Sequence, residues 1–94
     1  MKFIMNQRIF DTEDASILYQ SLVNEDDYQQ TLYRTKGGSY FVVEKTYDEY
    51  SSKLFSTEAY TIQWLIDLLT CYGEKLTQSN IDTLEEAFPR MREV

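Results

Sequence analysis

Ninety-four residues, 43% apolar and 15% aromatic, suffice for one folded domain with a modest core and place the chain outside the disordered class. Sixteen acids against nine bases give a formal charge of −7, which argues against nucleic-acid binding through phosphate neutralisation and against docking on an acidic lipid surface. A single cysteine, Cys71, leaves no intrachain disulfide and points to a reducing, cytoplasmic setting; no run approaches the roughly 20 apolar residues of a membrane span, and "MKFIMNQRIF" does not read as a signal peptide.

In chain order, residues 2–10 mix Phe3, Ile4, Ile9 and Phe10 with polar residues and read as a strand. "DTEDASILYQSLV", 11–23, predicts a short helix. Asp11 or Thr12 would cap it, and Ala15, Leu18, Tyr19 and Leu22 follow the i, i+3, i+4, i+7 spacing. "NEDDYQQ", 24–30, reads as a polar connection. "LYRTKGGSYFVVEK", 32–45, predicts a hairpin closed by a two-residue type I′ turn at Gly37 and Gly38. That turn pairs Arg34 with Phe41 and Leu32 with Val43. One face then carries Leu32, Arg34, Phe41 and Val43. The other carries Tyr33, Thr35, Tyr40, Val42 and Glu44, and is left partly open. A hairpin alone is marginal in water, so a third strand is expected from 2–10 or 53–56.

Ser56 or Thr57 is the predicted cap of a second helix, its apolar stripe made of Ile62, Leu65, Ile66 and Leu69. Trp64, Leu68, Cys71 and Tyr72 widen the stripe, and Gly73 is a natural stop. A last helix is expected from near Thr77 or Ser79, where Ser79-x-x-Asp82 resembles a capping box. Ile81, Leu84 and Phe88 form its apolar face, and Pro89 ends or kinks it. The expected fold is a single α+β domain over 1–94: a small antiparallel sheet of about three strands, with a central hairpin at 31–44, packed with two to three helices.

The inventory offers little chemistry. There is no histidine, so the usual general base near neutral pH and the commonest zinc ligand are missing. Cys71, without a histidine partner on an aliphatic helix face, reads as a buried packing residue. Asp11, Glu13 and Asp14 form one acidic run, and Glu25, Asp26 and Asp27 a denser one. Neither has the spacing or central glycine of a calcium loop, and the simplest reading of both is a solvated cluster. No catalysis, cofactor or metal is expected. Eight tyrosines stand out, five of them between Tyr28 and Tyr50. They serve either the rim of a small core or a contact surface on the hairpin and its following loop, since tyrosine is enriched at protein interfaces.

Phe10, Asp11, Thr12 and Ala15, followed by Leu32, Tyr33, Arg34, Gly38, Tyr40 and Phe41, resemble a family of small acidic proteins carried by phages and plasmids of Gram-positive bacteria. A related domain forms the N-terminal part of some anti-CRISPR proteins that inhibit Cas9. The resemblance spans residues 8–70 and is strongest in the hairpin. It departs after the hairpin, where "EKTYDEY" replaces a Gly-rich segment, and in the later helix, where Ala59 and Trp64 stand five apart. It implies a non-enzymatic, acidic protein-binding module that inhibits a nucleic-acid-binding defence complex, such as a Cas effector, in the cytoplasm of a bacterial host. Partial mimicry of nucleic acid would be the mechanism. Asp11, Glu13, Asp14, Glu25, Asp26 and Asp27 are the candidate charge carriers, and Tyr33, Tyr40, Tyr47 and Tyr50 the candidate anchors. The alternative is a self-associating structural or accessory protein, a homodimer paired through the tyrosine-rich hairpin face.

Overall fold

Four consecutive strands pair in chain order, and a separate hairpin covers one face of the sheet they make. The computed structural model describes residues 1–23, 27–72 and 76–89. The covering hairpin is β1 (Lys2–Met5) and β2 (Arg8–Asp11). The sheet is β3 (Ser16–Gln20), β4 (Tyr28–Arg34), β5 (Tyr40–Thr46) and β6 (Glu49–Phe55), followed by α1 (Glu58–Tyr72) and α2 (Gln78–Ala87). The order in the sheet is β3-β4-β5-β6, antiparallel throughout. The class is α+β as expected, with two sheets of two and four strands where one of about three was expected. No helix among the described residues is long and apolar enough to cross a membrane.

The strand expected over 2–10 is in fact a hairpin. Asn6 and Gln7 both take positive φ, 51° and 62°, which a two-residue I′ turn demands and which asparagine tolerates better than most residues. Phe3 pairs with Phe10 and Ile4 with Ile9. Period-2 alternation turns the phenylalanines toward the sheet and leaves both isoleucines in solvent.

The helix expected over 11–23 does not form. The Asp11 side chain accepts the Glu13 N–H at 3.1 Å and its carbonyl accepts the Asp14 N–H at 3.2 Å, so the supposed cap makes a tight turn into β3. In β3 the pairing with β4 shifts between Ile17 and Tyr19, a bulge that gives β3 one extra residue. Leu18 and Tyr19 are therefore both buried in the same cluster. Adjacent apolar residues pointing the same way imitate helical spacing, and the ladder to β4 decides the outcome.

The central hairpin forms one residue out of the expected register. Arg34 faces Tyr40, Tyr33 faces Phe41 and Leu32 faces Val42. The loop holds three residues between Thr35 and Ser39: the Thr35 carbonyl accepts Gly38 N–H at 3.0 Å, and its hydroxyl accepts Ser39 N–H at 3.0 Å. Gly38, at φ 89°, supplies the left-handed position of such a turn, leaving Gly37 within it. The slip moves side chains between faces. Leu32, Tyr40 and Val42 join one core with Leu18, Tyr19, Phe55, Leu65, Leu68, Leu84, Ala87 and Phe88, beneath the helices. Phe41 and Val43 join Phe10 in a second core on the other face, with Phe3, Met5, Tyr33 and Leu54 packed around it.

Thr57 caps α1, its hydroxyl accepting the Tyr60 N–H at 3.2 Å. The inward side of α1 is Thr61, Leu65 and Leu68, fully or nearly buried, with Ile62, Trp64 and Leu69 half-buried; Ile66 faces solvent. Cys71 is exposed, a correction to its expected packing role, because it lies beyond that inward side. Thr77 rather than Ser79 caps α2, accepting Asn80 N–H at 3.1 Å. Phe88, just past the helix, is fully buried against Tyr40. Gly73 and the side chain of Tyr72 lie outside the described residues.

Candidate binding surface

The β4 register decides which of the expected site residues share a surface. β4 runs from Tyr28, opposite Thr46, to Arg34, opposite Tyr40, and β3 pairs Ser16 with Arg34. The turn containing Asp11, Glu13 and Asp14 therefore sits at the Gly37–Gly38 end of the sheet, and Asp27 at the other. Seven strand residues separate the ends by about 20 Å. Of the expected acidic site, Asp11, Glu13 and Asp14 thus stand apart from Asp27.

At the Gly37 end, Asp11 and Asp14 border a depression of about 360 Å³ together with Lys2 and Lys36. Cations from β1 and from the hairpin loop stand among these acids, so this end is not a purely negative face. Tyr33 is half-buried under the β1–β2 hairpin and stacks on Phe41 at 5.1 Å, 13° between planes. Tyr40 is buried against Phe88 at 5.2 Å. The one-residue slip takes Tyr40 out of any anchoring role on an open face, because its ring is inside the helix-covered core.

Desolvation under the hairpin raises the Tyr33 hydroxyl above its ordinary pKa of 10.0. The protonated phenol is the neutral form, so near that pH the native state keeps a proton that the unfolded chain releases. The stabilisation is complete below pH about 10 and falls as pH rises through the native value. We predict that the urea midpoint of the protein drops as pH rises above about 10, and drops less in Tyr33→Phe. Identical pH slopes in the two proteins would show that Tyr33 does not titrate in this range.

The other end is different in kind. Leu22 and Val23, after β3, are 76% and 56% exposed, while Tyr47 and Tyr50, at the β5–β6 turn, are 63% and 46% exposed. Asp27, Asp48 and Glu49 are exposed at the same end. Lys45 is the cation beside them, its Nζ 5.9 Å from the Tyr50 ring centroid. Tyr47 holds φ 54°, uncommon for an aromatic residue. Glu25 and Asp26 lie outside the described residues. Of the expected site, Asp27, Tyr47 and Tyr50 share this end. Leu22, Val23, Asp48 and Glu49 were missed, because the helix reading assigned Leu22 to a buried face. Two apolar residues followed, after Asn24, by an acidic run were the available signal.

Among the described residues no three acidic, cysteine or histidine side chains are grouped as metal ligands would be. No buried side-chain nitrogen or oxygen among them lacks a hydrogen-bond partner. Gln30 bonds Glu44 at 3.0 Å, and Gln20 bonds Thr31 at 3.0 Å, so the polar groups inside the sheet are consumed by structure. No family model, curated protein or solved structure matches the chain.

Proposed function

We propose that this protein is a non-enzymatic binding module whose Leu22–Tyr50 end docks on a basic protein surface. The observation that carries the reading is the coincidence, at one end of a rigid sheet, of four exposed apolar or aromatic side chains with three exposed acids. Leucine, valine and tyrosine rings supply area worth desolvating, and carboxylates around them select a positively charged partner and speed encounter. The positive φ of Tyr47, 54°, is what the first position of the two-residue β5–β6 turn requires, and it sets this tyrosine at the tip of that turn.

The narrower reading is an inhibitor, carried by a mobile element, of a nucleic-acid-binding defence complex in a bacterial cytoplasm. It rests on the resemblance and on the acidic composition. Of the residues that carry the resemblance, Phe10, Leu32, Tyr33, Tyr40 and Phe41 belong to the two cores and Gly38 to the turn, so the resemblance bears first on architecture.

The test is binding to purified Cas9, with and without guide RNA, at low and at high salt. The expected result is binding that weakens with salt, competes with duplex DNA, and falls by about 10- to 100-fold in Tyr47→Ala and Tyr50→Ala. Binding with no salt dependence would remove nucleic-acid mimicry. Binding untouched by either substitution would place the contact elsewhere, and no binding to either form would remove Cas9 as the partner.

A further inference from the structure

Among the described residues, the outer edge of β6 is the open edge of the four-stranded sheet. β3, at the opposite edge, is five residues long, bulged at Leu18, and packed beside α2. Those are devices that discourage pairing with another chain. β6 has seven residues, an unbroken register with β5, no proline and no bulge. β1 lies against it without joining its ladder, and α1 covers one face. Beside the edge runs an open depression bordered by Lys53, Phe55, Tyr60 and Trp64.

The two-residue turn at Tyr47 and Asp48 closes on the pair Thr46–Glu49. Antiparallel alternation then directs the backbone groups of Glu49, Ser51, Lys53 and Phe55 to β5, and those of Tyr50, Ser52 and Leu54 outward. We infer that β6 pairs with β6 of a second copy, antiparallel about a two-fold axis at Ser51, giving a continuous eight-stranded sheet. The two-fold requires outward-directed residues to face outward-directed residues, which leaves only a few registers. Centring on Lys53 sets the two lysines against each other. Centring on Ser52 sets Glu49 opposite Phe55. Centring on Ser51 sets Glu49 of each copy opposite Lys53 of the other, two opposite-charge pairs made by a single register. Lys53 alone on an edge blocks indiscriminate pairing, and faced by Glu49 it selects a copy of the same strand.

This inference shares Glu49 and Tyr50 with the proposed partner surface but does not rest on it, and its readout is oligomeric state rather than partner binding. Sedimentation equilibrium of the full chain, near 50 µM as an order-of-magnitude starting point, is expected to show a dimer. Lys53→Glu opposes two carboxylates in each pair and should weaken the dimer at least about tenfold; Glu49→Lys should do the same. The double exchange, Glu49→Lys with Lys53→Glu, restores both pairs and should restore the dimer. With Cys71→Ser as background, Ser51→Cys is expected to oxidise to a covalent dimer and Lys53→Cys is not, because only Ser51 meets itself across the axis. Far-ultraviolet circular dichroism checks that each variant is folded. A monomeric wild type, or a double exchange that stays as weak as the single variants, would overturn the proposal.

Discussion

Phe41→Ala is expected to cost about 3–5 kcal/mol, read as a large fall in the urea midpoint with little change in slope. Phe41 is the second residue of β5 and has no exposed surface, its ring stacked on Tyr33 at 5.1 Å and tilted against Phe10 at 5.4 Å. Phe10, Val43 and Phe41 are the buried members of the second core, so removing one ring empties much of it. A domain of this size has a total stability of about 5–14 kcal/mol, and the loss is a large share of that. The damage should be directional. The β1–β2 hairpin has this core as its hydrophobic anchor, so its amides should exchange with solvent well before those of β4 and β5. A loss under about 1 kcal/mol, or even exchange across the sheet, would mean that the hairpin does not cover this face.

Phe88→Ala should cost a similar amount, about 3–5 kcal/mol, but loosen the opposite face. Phe88 follows the last turn of α2, its N–H donating to the Leu84 carbonyl at 2.8 Å, and its ring fills the space against Tyr40. Without it, Leu84 and Ala87 are what α2 keeps buried. Amide exchange should then rise in α2 while the β1–β2 hairpin stays protected. The two substitutions thus distinguish two cores on one sheet from a single continuous one. Matching exchange patterns in both variants would contradict the two-core arrangement.

Much of this architecture was legible from residue type alone. Capping and apolar spacing located both helices, because Thr57 and Thr77 perform local chemistry that no distant contact alters. The glycine pair located the central hairpin. Its register was not legible: a two-residue and a three-residue loop both suit Gly37–Gly38, and the choice depends on the Thr35 hydroxyl reaching Ser39. The 11–23 segment misled because the bulge at Leu18 puts two neighbouring side chains on one face. A bulge is a property of the pair of strands, invisible in either alone. The binding surface inherited both errors. Tyr33 and Tyr40, assigned together, stand on opposite faces, and Asp27 stands at the opposite end from Asp11, Glu13 and Asp14.

Among the described residues, every hydrogen-bonded strand neighbour is also the next strand along the chain: β1 with β2, and β3 through β6 in order. No ladder must therefore wait for a distant segment to return. Low contact order of this kind lowers the loop-closure entropy to be overcome before pairing is rewarded, and it favours fast folding. The sheet can zip outward from its tight turns at 47–48 and 35–39, and the helices, the last elements in the chain, close over one face of a scaffold already in register.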